Sequence, residues 1–214
     1  MQCDPVLSKL LDGLSFQDLD NSDDIVFALN ADLEITYVNQ GWVRFAERNG
    51  GSAVNKKWSV GSRFMDAIPL ILRPFYLENF AKVLAENRPW EHQYECSSPD
   101  LYRRFHMLSY PLGDAERILI VNSLVQEQPH TEILCEPNEE LYRNRGGFIT
   151  QCCHCRRVRR NGSNQQWDMV PSWIAVIPPN TSHGLCYPCI SYFYSSSTNT
   201  ERGFPETFNT YEIG

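Results

Sequence analysis

Two hundred and fourteen residues, 42% of them hydrophobic, can bury one ordinary core and a small satellite, but not several full domains. A formal net charge of −7 and a pI near 5.2 argue against a broad nucleic-acid surface, which needs clustered Lys and Arg to meet phosphate charge. The first residues are polar or acidic at short intervals, unlike a secretory signal. The longest apolar runs, 118–121 and 174–177, fall far short of the roughly 20 residues of a membrane span, so the expectation is a cytoplasmic protein with neither a membrane nor a nucleic-acid partner.

In chain order, Val6, Leu7, Leu10, Leu11 and Leu14 recur at helical spacing and predict an amphipathic helix over 1–20, ahead of the acidic turn Asp20–Asp24. An apolar stripe of this kind packs on its own domain or on a second copy, and a homodimer is the expectation. Residues 25–30 and 33–38 flank Ala31-Asp32 as the arms of a hairpin, with Leu33, Ile35 and Tyr37 alternating against Glu34 and Thr36. Asn39 stands where a helix N-cap belongs, and Trp42, Phe45 and Ala46 form a stripe ending at Asn49-Gly50-Gly51. Pro74 suits the first turn of a further helix whose apolar positions are Leu77, Phe80 and Leu84 and which Asn87-Arg88-Pro89 ends. Three strands follow, at 90–96, 101–110 and 116–124, with turns at Ser98-Pro99 and Gly113-Asp114.

In the first of these strands, period-2 alternation puts His92, Tyr94 and Cys96 on one face and Glu91, Gln93 and Glu95 on the other. The polar set predicts the solvent side, so His92 and Cys96 turn toward the core. There an imidazole and a thiol are candidate ligand-binding residues, for a haem or a redox-sensitive contact, against the commoner reading of a hydrogen-bonded core histidine. The facing of His106 is open at this level. Polarity rises over a connector at 127–145, a cysteine-rich region occupies 146–194, and residues 195–214 form a tail of low hydrophobicity. No nucleophile elbow and no Gly-rich phosphate loop is present, and the carboxylates cluster in turns, so a binding or signalling module is expected and not an enzyme.

Five of the eight cysteines lie between 152 and 189, and four of them form two Cys-x-x-Cys pairs, Cys152/Cys155 and Cys186/Cys189. Each tight turn aims two thiolates at one point, and two such turns supply the four soft ligands of a closed structural zinc site. The separation of about 30 residues between the pairs exceeds the roughly 15–20 of the common pattern, so a small subdomain has to fold between them. An iron–sulfur cluster and a redox dithiol at Cys186/Cys189 are the alternatives, the latter lacking a surrounding βαβ unit. A disulfide framework does not suit a chain without a secretory signal, and covalent c-type haem is excluded because Arg156 and Ile190, not histidine, follow the second cysteine of each pair. His154 or His183 is a possible replacement for one thiolate, and the plainer role of His183 is to orient its turn. The cluster Arg156, Arg157, Arg159 and Arg160 would compensate the anionic centre.

Two strands, a helical middle and three antiparallel strands form the layout of a PAS domain, and the wording of the sequence strengthens the likeness. Residues 35–51, ITYVNQGWVRFAERNGG, resemble the PAS stretch in which the second strand enters an Asn-started helix with an aromatic anchor. Residues 94–112, YECSSPDLYRRFHMLSYPL, are similar to the hairpin of a subgroup of bacterial sensory PAS domains that carry a Cys-Ser-Pro turn. QCCHCRRVRR, WDMVPSW and SHGLCYPC resemble the cysteine tails found after PAS or GAF modules in bacterial signalling proteins. The resemblance implies an α+β fold: a PAS-like five-stranded antiparallel sheet over 21–126 with helices on one face, plus a small zinc-bound C-terminal subdomain. It also implies a sensory role toward a signalling protein partner, with a possible small molecule in the PAS pocket. By position, it carries the metal over to Cys152, Cys155, Cys186 and Cys189. A kinase, cyclase or DNA-binding segment of the larger relatives is not recognisable in these residues.

Overall fold

The computed structural model describes residues 15–49, 51, 57–113, 116–162 and 166–194. The stripe from Val6 to Leu14, on which the N-terminal helix and the dimer expectation rest, and the tail at 195–214 lie outside them. The chain divides into two compact units, Met1–Gln93 with Phe105–Val125, and Tyr94–Arg104 with Gln126–Gly214. Among the described residues no helix is long and apolar enough to cross a membrane.

A five-stranded sheet has the order β2-β1-β5-β4-β3, with β1 at Ile25–Asn30, β2 at Ile35–Val38, β3 at Trp90–Glu95, β4 at Leu101–Leu112 and β5 at Arg117–Pro129. The central pair is antiparallel and in continuous register from Ile25↔Asn122 to Asn30↔Arg117. β1 is buried on both faces, which its unbroken apolar run permits. On one face Phe27 meets Trp42 and Phe64 at ring separations of 5.3 Å. These come from α2 (Gln40–Arg48) and a 3₁₀ turn at Phe64–Asp66. Phe64 in turn packs on Phe80 from α3 (Arg73–Glu86). On the other face Val26, Ala28, Tyr37 and Leu119 are covered by Phe16 and Leu19 of α1 (Phe16–Asn21). The helix that precedes the sheet therefore packs on its own domain, on the face opposite Trp42 and Phe64, where Phe16 and Leu19 bury their apolar surface.

Asn39 fixes the local geometry. It is fully buried, its Oδ1 accepts from the amides of Trp42 and Val26 at 2.9 and 3.0 Å, and its Nδ2 donates to the carbonyls of Asp24 and Leu19 at 2.9 and 3.2 Å. One side chain caps α2 and ties it to the start of β1 and the end of α1. Gly41 allows that approach, because a Cβ there would stand 2.1 Å from the Asp24 carbonyl oxygen.

In the second unit β6 (Ile149–Cys152), β7 (Val158–Arg159), β8 (Trp167–Asp168) and β9 (Thr181–Gly184) form a sheet of order β8-β7-β6-β9. Short helices α4 (Glu139–Tyr142) and α5 (Ser172–Ala175) flank it, and α6 (Tyr187–Tyr194) ends the described chain. Its core includes the cluster Tyr142, Ile149, Val158, Val170 and Trp173, with the Tyr142 hydroxyl donating to Asp168 at 2.9 Å. Residues 127–145, read from sequence as a connector, thus supply a core residue of this unit. Its polarity misled because Tyr142 is the one residue of α4 that turns fully inward.

Gly41→Ala tests the sheet-to-helix junction. In an ordinary helix interior the change stabilises by about 1 kcal/mol; here the clash with backbone should make it destabilising by about 2 kcal/mol. Asn39→Ala, which orphans buried amides and carbonyls, should cost about 3 kcal/mol. Denaturant midpoints measure both, and a stabilised Gly41→Ala protein would refute the packing.

Candidate metal centre

The four cysteines meet because of strand direction. β6 and β9 run parallel, with Cys152 opposite Gly184, so the turn after β6 and the turn after β9 emerge side by side at one end of the sheet. A parallel pair requires a crossover of a dozen or more residues; β7, β8 and α5 lie in that interval. The long spacing between the Cys-x-x-Cys pairs is therefore the length of a crossover.

Each turn is held by backbone. The Arg156 amide donates to Cys152 O at 3.0 Å, the Cys152 amide donates to Arg157 O at 2.8 Å and the Cys153 amide donates to Gly184 O at 2.9 Å. Arg156 takes a left-handed conformation, φ 64°, to close the first turn. In the second, Cys186 immediately precedes α6, whose N-terminal dipole favours negative charge on the sulfurs around it. The Cys186 amide also lies 3.5 Å from Cys152 Sγ.

The sulfurs of Cys152, Cys155, Cys186 and Cys189 all lie within 4.8 Å of one another, and all four residues are buried. Cys155 to Cys186 is 3.6 Å and Cys186 to Cys189 is 3.4 Å. Ligands about 2.3 Å from a zinc ion stand about 3.8 Å apart at the corners of a tetrahedron, so the set fits such an ion. The thiols compete for protons. Hydrogen bonds from Cys155 and the other sulfurs hold Cys152 far below the ordinary thiol range, Cys155, opposed by Cys152 but favoured by Cys186 and Cys189, sits at about 7, and Cys186 and Cys189 are pushed up by the same neighbours. Only a central cation lets all four ionise together.

The remaining candidates separate. His183 is exposed and outside the sulfur cluster. His154 is likewise outside the set of mutually close ligand atoms, although its Nδ1 lies 3.2 Å from Cys189 Sγ. Burial pushes the Cys153 thiol up to about 12, so it remains protonated beside the cluster. Two of the four arginines have carboxylate partners. Arg157 faces the Cys155 sulfur and pairs with Glu132 through two contacts of 2.9 Å, while Arg160 is taken up by Asp168 at 2.8 Å.

The expected ligand face of β3 also divides. His92 is buried, stacked on Trp90 at 4.9 Å and 7°, with Phe75 and Tyr76 edge-on to it. Tyr94 is half-buried, and Cys96, past the end of β3, is exposed. The inward-facing expectation fails for Cys96 because alternation stops where the strand stops. Glu95, assigned to solvent by the same alternation, has a side chain only 11% exposed and lies 3.6 Å from Arg157; burial raises its pKa. His106 faces outward and pairs with Glu91 at 3.0 Å. Sequence reasoning missed Glu95 as a neighbour of the first cysteine turn, and no local pattern signals a partner about 60 residues away.

The sequence model of the PAS fold matches residues 19–127. Among curated proteins there is no match. Solved structures similar to the chain include a domain of an HTR-like protein from Haloarcula marismortui, 16% identical, covering 49% of this chain and 100% of that one with a TM-score of 0.37. The photoactive yellow protein domain of the sensor histidine kinase Ppr from Rhodospirillum centenum is 14% identical and covers 53% and 95%, with a TM-score of 0.37. The PAS domain of nitrogen regulation protein NR(II) from Vibrio parahaemolyticus is 14% identical and covers 52% and 100%, with a TM-score of 0.31. The matched span takes in the sheet β2-β1-β5-β4-β3 and the helices between its strands, and the chain belongs to the PAS fold family.

Proposed function

We propose that this protein is a sensory signalling module: a PAS domain that acts by binding a ligand or a partner protein, with a C-terminal unit closed around a structural zinc ion and no catalysis of its own. The observation that carries the metal reading is the set of four buried sulfurs within 4.8 Å of one another. Four thiolates complete a tetrahedral sphere and leave no position for water or substrate. Bound zinc would cross-link the ends of β6 and β9 and the start of α6, and so add its binding free energy to the folding of this unit. The rival is a thiol redox protein using Cys186 and Cys189, whose sulfurs are 3.4 Å apart. Against it, Cys155 is nearly as close to Cys186, so the sulfurs converge on a point and do not pair off.

Protein purified without chelator should be colourless and carry about one zinc per chain, and Cys186→Ser should lose the metal and loosen the second unit while the PAS sheet stays folded. Absorption near 400–450 nm would instead bring in iron–sulfur, haem or flavin, and full zinc occupancy in the Cys186→Ser protein would remove this ligand set.

The partner for the apolar stripe Val6, Leu7, Leu10, Leu11 and Leu14 is a second copy of the chain. Phe16 packs on Tyr37 at 5.4 Å, so the truncation that tests this stops short of it. Removing residues 1–14 should give a monomer by light scattering, and an unchanged mass would place the interface elsewhere.

For the PAS unit, the ring-on-ring packing of Phe75, Tyr76, Phe80 and Trp90 about one another and His92 supports a core filled by its own side chains. Denatured protein should release no stoichiometric chromophore or metabolite by mass spectrometry, and His92→Ala should lower stability by about 2 kcal/mol. A molecule released from the parent and lost from His92→Ala would make His92 a ligand instead.

A further inference from the structure

His154 sits in the first cysteine turn with its ring edge-on to Phe193, 4.9 Å between centroids at 78°. Its two nitrogens reach different groups. Nε2 lies 3.0 Å from the backbone nitrogen of Glu95, which donates to it, and Nδ1 lies 3.2 Å from Cys189 Sγ. A backbone amide can only donate, so Nε2 must be an unprotonated acceptor. A ring with one bare nitrogen is neutral and carries its proton on the other. Nδ1–H therefore donates to the Cys189 sulfur.

From this geometry we infer that His154 is a positioning residue, a neutral bridge that donates Nδ1–H to the Cys189 thiolate and accepts the Glu95 amide at Nε2. The hydrogen-bond pair stands on the coordinates alone; its consequence for metal affinity rests on the zinc reading above. An N–H donor draws charge from one thiolate and fixes its rotamer, the way outer partners orient metal ligands. The same ring fastens the last residue of β3 to the cysteine turn. Arg157, two residues past Cys155, reinforces the tie, 3.6 Å from the Glu95 carboxylate and bidentate on Glu132. The turn that carries Cys152 and Cys155 thus grips segment 94–104 at two points, one to backbone and one to side chain. Metal in the cysteine cluster and order in that segment become linked.

Two variants split the bridge into its halves. The amide nitrogen of asparagine falls near the position of Nδ1, and the carbonyl oxygen of glutamine near that of Nε2. His154→Asn should keep the sulfur bond and release Glu95, whereas His154→Gln should keep Glu95 and release the sulfur. On the full chain loaded with zinc, long-range proton–nitrogen NMR of the unaltered protein should find the proton on Nδ1. Chelator competition should show zinc affinity falling about 10–100-fold in His154→Phe and His154→Gln, with His154→Asn close to the parent. Hydrogen exchange at the Glu95 amide should speed up in His154→Asn and His154→Phe and stay slow in His154→Gln. An Nε2-protonated or doubly protonated ring in the parent overturns the bridge even if every variant misfolds. So does a folded His154→Phe protein that holds zinc as tightly as the parent. A parent chain that takes up no zinc sinks the metal reading instead, and the tautomer and the Glu95 exchange rate then decide the bridge by themselves.

Discussion

Four thiols held inside a sphere of under 5 Å cannot all ionise without a cation, and the second unit is organised by that constraint. Its strands β7 and β8 are two residues long and its helices α4 and α5 four, too short to stand by their own hydrogen bonds. Among the described residues its buried apolar side chains include Tyr142, Ile149, Val158, Met169, Val170, Trp173, Leu185 and Phe193. Small folds of this kind need a staple, and the converging cysteines are placed to be one. Backbone bonds among Cys152, Cys153, Arg156, Arg157 and Gly184 hold the first turn and tie it to the end of β9.

Strand direction gives the cysteine pairs their spacing. In an antiparallel ribbon two Cys-x-x-Cys turns come from neighbouring loops and need only a short interval. Here β6 and β9 are parallel, and the crossover that parallel pairing demands returns the chain to the same end of the sheet. The interval contributes Val158, Val170 and Trp173 to the core, so the length that made the motif look atypical also completes the subdomain.

β3, β4 and β5 each have residues in both compact units, since segment 94–104 and the chain from 126 onward belong with the cysteines. Arg103 pairs with Glu127 at 2.5 Å, His130 reaches the Ser98 carbonyl at 2.9 Å, and Arg157 reaches Glu95 and Glu132. These partly buried contacts are stronger than exposed ion pairs. They attach the outer part of the β3–β4 hairpin to the rest of the cysteine unit.

Local chemistry was legible in the sequence wherever the governing interaction spans a few residues. The Asn39 cap, the apolar run of β1, the Pro74 start of α3 and the two cysteine turns all follow from side chains acting on their own neighbours, and the PAS layout follows from their order. Tertiary structure decided whatever depends on which strand lies beside which. Alternation along β3 assigned Glu95 to solvent, yet its side chain is buried against Arg157, because the partner comes from a turn about 60 residues later. The same alternation carried Cys96 inward past the point where the strand ends. A polar stretch at 127–145 concealed Tyr142, and the histidine of the first cysteine turn reaches both Cys189 and the Glu95 amide, contacts that spacing does not announce. Period and spacing describe one segment at a time, whereas burial, tautomer and ligand choice are set by the groups that another segment brings up.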